Sequence, residues 1–138
     1  MRRFPTSNEP STVTTILIDT HALLWWLSGD RRLPRRSRLA VADPDNHILV
    51  SAVSAWEVAV KAAIGKLDAP DGLIDVVEES GLAWIPIVPR DAYAAGGLPF
   101  HHRDPFDRLL VAQAIARAAP IISHDAALDP YGIVRLWR

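Results

Sequence analysis

Short runs of β-branched and aliphatic residues alternate along this chain with longer apolar stretches of helical spacing, and this alternation is its most constraining feature. The short runs predict strands at residues 14–19, 47–51, 84–88, 120–123 and 133–136. The longer patterns predict helices at residues 21–28, 53–67, 73–81, a short segment after Arg90, and 105–118. Strands that alternate with helices are joined by right-handed crossovers. We therefore expect a single α/β domain with a mostly parallel central sheet and helices on both faces.

Composition narrows the chemistry that such a domain can carry. The chain has 138 residues, no cysteine and a formal net charge of -1, so metal ligands must be oxygen or histidine. Any contact with a polyanion must come from local groups of lysine and arginine. Residues 1–13 lack periodicity and predict a disordered leader before a folded domain at residues 14–138. No apolar run approaches the roughly 18 residues of a membrane span, and we expect a cytoplasmic protein.

Acidic residues follow the predicted strands at the edge where an open parallel sheet binds its ligands. Asp19 ends the first strand, and Asp125 closely follows the fourth. Glu57 lies one turn into the helix after the second strand. Asp104 and Asp107 lie at the start of the helix that begins at Pro105. We expect these carboxylates to converge.

Helix capping is the alternative explanation for most of these acids. Ser54 and Glu57 have the spacing of a capping box, and Asp104 before a proline is a typical N-cap. Asp107 favours the first turn of a helix, and Asp125 is placed to cap a following short helix. Asp19 is the hardest to explain this way, because an acid at the end of an apolar strand is costly without a partner.

Clustered carboxylates repel one another, and we expect no lysine or arginine fixed among them. One or two Mg²⁺ or Mn²⁺ ions are then the natural counter-charge, since both prefer oxygen ligands. Such ions activate water and stabilise the oxygens of a phosphodiester during its hydrolysis. The acids therefore favour a metal-dependent hydrolase.

Four segments in the correct order carry a family resemblance. They are residues 18–27 (IDTHALLWWL), 51–59 (SAVSAWEVA), 98–114 (LPFHHRDPFDRLLVAQA) and 121–125 (IISHD). Together they resemble the PIN-domain ribonuclease toxins of the VapC type, from about residue 15 to the C-terminus. The resemblance implies a PIN-like fold and an Mg²⁺- or Mn²⁺-dependent endoribonuclease. It also implies inhibition by a cognate antitoxin of a type II toxin-antitoxin pair, and a homodimer.

The resemblance also implies roles for individual residues. The catalytic acids are Asp19, Glu57, Asp107 and Asp125, and all four are candidate metal ligands together with Asp104. Small hydroxyl residues that steady the acids or their waters are Thr20, Ser54 and Ser123. We expect Asp19 and Asp107 to hold the main metal, Glu57 to position the attacking water, and Asp125 with Asp104 to form a weaker second site.

Positive charge for an RNA substrate is concentrated after the first helix, in the loop and start of a helix that contain Arg31, Arg32, Arg35, Arg36 and Arg38. A solvated surface is the alternative. Lys61 and Lys66 could extend this path, although Lys61 also has the spacing of a helical ion pair with Glu57. His101, His102 and His124 are candidates for phosphate contacts or for hydrogen bonds that position a loop.

The tryptophans are expected to pack in the core, Trp56 in particular. Trp25 and Trp26 are adjacent on one helix and must point in different directions. One of them could therefore serve a partner surface, and the five tryptophans could include a base-stacking platform.

Two other functions fit parts of the sequence. A phosphohydrolase of the haloacid-dehalogenase type also ends its first strand in aspartate, but it requires a second aspartate where this chain has His21. A catalytically silent α/β binding module would use the acids only as helix caps. Stabilisation by metal that is lost on Asp19→Asn would distinguish the enzyme from the binding module.

Overall fold

The computed structural model describes residues 14–137 as five strands, six α-helices and one 3-10 helix. The predicted leader at residues 1–13 lies outside the described residues. The strands are β1 (Thr14–Ile18), β2 (Asn46–Ser51), β3 (Ala83–Ile85), β4 (Ile121–Ile122) and β5 (Arg135–Leu136). The helices are α1 (Thr20–Ser28), α2 (Arg35–Ala42), α3 (Ala52–Ala63), α4 (Leu73–Glu79), α5 (Pro89–Gly96), α6 (Pro105–Arg117) and the 3-10 helix (Ala126–Tyr131).

The strands form one sheet in the order β3-β2-β1-β4-β5, and every neighbouring pair is parallel. The chain moves outward from β1 to β2 and β3 on one side, and then crosses back to build β4 and β5 on the other side. The connections after β1 and β4 therefore leave in opposite directions. Such a switch point opens a crevice at the carboxyl ends of the two central strands.

The core consists of two layers, one on each face of the sheet. Ile16 and Ile18 of β1 pack on one face with buried residues of α1, α2 and α4. Leu17, between them, faces the other side and packs with residues of α3, α5 and α6. This alternation follows from the two-residue period of a strand. The prediction of helices on both faces is confirmed.

Several predicted boundaries shift, for local reasons. The helix predicted at 53–67 ends at Ala63, because Gly65 adopts φ +73 and its N–H bonds to the carbonyl of Ala62. The strand predicted at 84–88 ends at Ile85, before Pro86, which has no N–H to continue the ladder. Arg35, Arg36 and Arg38 lie on the complete helix α2, of which the sequence indicated only the start, whereas Arg31 and Arg32 lie in the turn before it.

Among the described residues, no helix combines the length and apolar character needed to cross a membrane.

Candidate active site

Asp19 joins the first strand to the first helix. It follows β1 directly and caps α1, where its carboxylate accepts the N–H of Ala22 at 2.9 Å. Ser123 follows β4, the strand beside β1, and its hydroxyl acts to lower the pKa of Asp19, as does the N–H of Ala22. Asp19 is only 7% exposed, however, and this burial raises the pKa of its carboxyl group overall. Asp19 is thus both the N-cap of α1 and a buried acid at the switch point of the sheet.

Glu57 lies inside α3 rather than at its start. Ser51 caps this helix by accepting the N–H of Val53, so the predicted capping box of Ser54 and Glu57 is wrong. The hydroxyl of Thr20 lies 2.6 Å from Glu57 Oε1 and 2.9 Å from Ser54 Oγ. Because a hydroxyl carries one proton, Thr20 donates to the carboxylate and accepts from Ser54.

Lys61 forms an ion pair with Glu57 Oε2 one helical turn away. The expectation that no cation is fixed among the acids is therefore wrong. Partial burial opposes the charge of this ammonium, but the hydrogen bond and charge of Glu57, with Asp104 and Asp107 beyond it, raise the pKa of Lys61. The positive charge of Lys61 offsets the negative charge of one acid, Glu57, and leaves the charges of the other acids without a lysine partner among the described residues.

The start of α6 brings two acids together. Asp104 caps the helix by accepting the N–H groups of Phe106 and Asp107 at 2.8 and 3.2 Å, as the sequence predicted. Asp107 lies in the first turn, facing the other acids. Burial raises the pKa of Asp107 to about 7, and the charges of Asp104, Glu57 and Asp19 add to the increase, while His102 opposes it. This carboxyl group thus lacks sufficient positive charge around it.

The sequence left open whether His102 contacts phosphate or positions a loop, and the structure shows its contacts. Its Nε2 lies 2.7 Å from Asp125 Oδ2 and 3.1 Å from Asp107 Oδ2. Its Nδ1 accepts the backbone N–H of Asp104 at 3.1 Å, which places the proton of a neutral ring on Nε2. Although His102, Asp107 and Asp125 bring possible ligand atoms within 4.8 Å of one another, His102 is here a hydrogen-bond donor to Asp125 and lies beside Asp107.

Asp125 caps the 3-10 helix through the N–H of Ala127 at 2.9 Å, as the alternative explanation predicted. Its own N–H bonds to the Ser123 hydroxyl oxygen at 3.0 Å. Partial burial opposes the charge, but the Ala127 amide and His102 hold the pKa of Asp125 below its usual value. Asp125 is therefore an anion beside the more weakly acidic Asp107.

Arg108 holds the loop that carries His102 and Asp104, and the sequence analysis missed it. Its guanidinium is buried and donates to the carbonyls of Ala95, Leu98 and Pro99 at 2.8 to 2.9 Å, and more distantly to the carbonyl of His102. One sequence signal could have revealed this role. Arg108 directly follows Asp107 at the start of an apolar helix, so its charge falls on a face that is buried and needs partners.

We expect Arg108→Lys to lower the free energy of unfolding by about 1–3 kcal/mol, because one ammonium cannot replace the guanidinium fork and leaves buried carbonyls unpaired. Urea denaturation followed by circular dichroism measures this loss. Arg103→Lys is the matched control, since Arg103 is exposed in the same loop. Equal stability of the two variants would contradict a structural role of Arg108.

The acids line a cleft of about 570 Å³ at the carboxyl edge of the sheet. Its lining includes Asp19, Glu57, Asp104, Asp107, Asp125, Lys61 and Arg32. Thr20, Ser54 and Ser123 lie buried beneath them. Three of the predicted RNA-binding residues, Arg31, Arg35 and Arg36, are exposed but do not line this cleft.

The predicted packing of Trp25, Trp26 and Trp84 against the core is confirmed, whereas Trp56 departs from its expected role. Trp56 is 56% exposed and meets Phe106 edge to face at 4.9 Å, so its predicted place in the core is wrong. His101 is exposed and packs edge to face on Tyr131. The hydroxyl of Tyr131 in turn accepts the N–H of His102 and thus steadies the loop.

Comparison with known proteins identifies the family of this site. Residues 16–133 match the PIN domain family. The chain belongs to the PIN-domain family. Within it, the chain is 31% identical over 124 residues to Ribonuclease VapC22 of Mycobacterium tuberculosis, covering 84% of this chain and 91% of that protein.

Solved structures share the fold of this PIN domain. VapBC2 of Rickettsia felis, bound to a promoter DNA fragment, matches 91% of this chain and 100% of the compared chain, with a TM-score of 0.66 and 14% identity. DNA-bound VapBC of Salmonella typhimurium matches 89% of this chain and 97% of the other, with a TM-score of 0.61 and 18% identity. The family assignment argues against the haloacid-dehalogenase alternative.

Proposed function

We propose that this PIN domain is a divalent-metal-dependent endoribonuclease and the toxin of a type II toxin-antitoxin pair. The observation that carries the proposal is the convergence of Asp19, Glu57, Asp107 and Asp125 on one cleft, where the pKa of Asp107 is raised to about 7. The name of the related Ribonuclease VapC22 supports the same activity.

The residues of the cleft fit a hard divalent cation. Their donors are carboxylate oxygens, which Mg²⁺ and Mn²⁺ prefer. Burial, together with the negative charges of Asp104, Glu57 and Asp19, raises the pKa of Asp107, and a bound cation would offset both effects. Asp19 and Asp107 would hold the main ion, and Asp125 with Asp104 a second, weaker one. A bound ion of this kind activates water and neutralises the charge that develops on phosphorus oxygens.

The other residues orient the reaction. Glu57 has its carboxylate fixed by Thr20 and Lys61, so it can hold a water molecule for in-line attack on the phosphodiester. Ser54 steadies Thr20, and Ser123 accepts the N–H of Asp125 while its hydroxyl acts to lower the pKa of Asp19. Attack by water leaves a 5′-phosphate and a 3′-hydroxyl and makes no use of the RNA 2′-hydroxyl.

Purified protein is expected to cut total cellular RNA at discrete positions when Mg²⁺ or Mn²⁺ is present. A chelator is expected to abolish this cleavage, because the acids alone repel the phosphate backbone. Sequencing of the fragment ends gives both the target and the end chemistry. A 2′,3′-cyclic phosphate end would exclude the proposed mechanism, and chelator-resistant cleavage would exclude the metal.

A cognate antitoxin and a second copy of the chain are the proposed protein partners, and the cytoplasm is the proposed location. The solved structures of related fold are named as VapBC complexes, which supports the antitoxin. For the homodimer, Trp56, Val60 and Ile64 form an exposed apolar row along α3. Co-expression with the protein encoded beside this one, followed by light scattering, tests both partners.

A further inference from the structure

A cluster of rings and one guanidinium stands beside the catalytic acids without a part in the proposed chemistry. We call it the aromatic wall, made of His21, Trp25, Arg32, His124 and Trp137. The Arg32 guanidinium lies 4.8 Å from the centre of the Trp25 ring. The His21, Trp137 and His124 rings lie 5.6 to 6.1 Å from that same ring, and His124 lies 5.5 Å from Trp137.

The wall connects two adjoining clefts. Four of its members, all except Trp137, line the cleft that contains the acids. Three of them, His21, Trp25 and Arg32, also line a neighbouring cleft of about 640 Å³ that extends toward Lys66. A chain molecule that leaves the acids in this direction must therefore pass along the wall.

Packing explains only part of the wall. Trp25 and Trp137 lie partly buried against the core of the sheet. His21, Arg32 and His124 are exposed, and the core does not require rings or charge at their positions. The Arg32 guanidinium pairs with Asp30 at 2.7 Å, with an Arg32 side chain that is 69% exposed. The pair is bidentate, since Nε and Nη2 of Arg32 reach both carboxylate oxygens of Asp30. It is nevertheless open to solvent, so an incoming phosphate can compete with Asp30 for the guanidinium.

We propose that the aromatic wall is a subsite for one nucleotide of single-stranded RNA next to the scissile phosphate. The rings of His21 and His124 receive the base, and Arg32 receives the adjoining phosphate, because rings stack bases of any sequence and guanidinium binds phosphate in a planar fork. The subsite rests on the proposed function and supplies positive and aromatic surface beside the acids of the cleft.

Fluorescence anisotropy with the full chain tests the subsite. The probe is a fluorescein-labelled pool of random-sequence decaribonucleotides in Ca²⁺, with cleavage of total RNA in Mg²⁺ or Mn²⁺ followed in parallel. We expect His21→Ala with His124→Ala, and separately Arg32→Gln, to weaken binding about tenfold, the loss typical of one stacked base. A base-free sugar-phosphate decamer is expected to bind the wild-type protein as weakly as the RNA pool binds the His21→Ala, His124→Ala variant.

Matched controls separate the wall from general effects. His47 is exposed at the amino end of β2, the opposite edge of the sheet, and Arg90 is exposed on α5 and lines neither cleft. His47→Ala and Arg90→Gln are expected to bind like the wild type. Wall variants with wild-type affinity and cleavage would overturn the subsite and leave the nuclease intact. Wild-type protein that neither binds the pool nor cuts total RNA would overturn the proposed function itself.

Discussion

Replacing Asp19 by asparagine is expected to abolish RNA cleavage while the protein remains folded. Asparagine caps a helix as well as aspartate does, so α1 keeps the hydrogen bond to the N–H of Ala22. The substitution removes the buried charge that would bind the main ion. Since residues that only orient a metal ligand typically contribute 10–100-fold, we expect a loss of about 100-fold or more.

The initial rate of RNA cleavage at saturating Mg²⁺ or Mn²⁺ measures this loss, and circular dichroism checks the fold. Asp75→Asn is the matched control, because Asp75 is exposed on α4 and lines neither cleft. A folded Asp19→Asn protein that cuts RNA at the wild-type rate would remove Asp19 from the site. If added metal stabilises neither the wild type nor Asp19→Asn, the result would instead favour the silent binding module.

The second large effect concerns stability, because Asp107→Asn is expected to stabilise the metal-free protein. The pKa of Asp107 is raised from 3.8 to about 7 by burial and by its acidic neighbours. An acid whose pKa is raised in the folded state costs stability as the pH rises from about 4 to about 7, and the full cost persists above pH 7. The shift corresponds to at most about 4 kcal/mol.

Asp107→Asn removes this cost and keeps an oxygen for His102. In chelator at pH 8, we expect a melting temperature about 5–10 °C above that of the wild type, given about 3 °C per kcal/mol for a domain of this size. At pH 4 the two proteins are expected to melt together. Added Mn²⁺ should stabilise the wild type and not the variant. A variant that melts below the wild type at pH 8 would contradict the charge argument.

The fold could be predicted because its signals are local. Alternating strand and helix patterns gave the parallel α/β sheet, and the order of elements placed Asp19 directly after one strand and Asp125 closely after another. Asp104 and Asp107 followed from the start of a helix after proline. In each case the residue and its signal lie within a few positions of one another, so no knowledge of distant contacts was needed.

The errors arose where a local pattern competed with a distant partner. Ser54 and Glu57 matched a capping box, yet Ser51 caps the helix, and Glu57 instead meets Thr20 across the sheet edge. Trp56 was assigned to the core by its hydrophobicity, although its helix turns it toward solvent. Helical phase and the packing of neighbouring elements decided both positions.

The sequence by itself determined the α/β order, the identity of the acids and the membership of a family that the motifs share. Only the tertiary structure decided that Thr20 holds Glu57, that Arg108 and Tyr131 hold the loop of His102, and that the Arg32 guanidinium lies over the Trp25 ring beside the acids. The reason is physical. Strand and helix signals depend on residues close in sequence, whereas burial, charge balance and ring contacts depend on side chains that folding brings together.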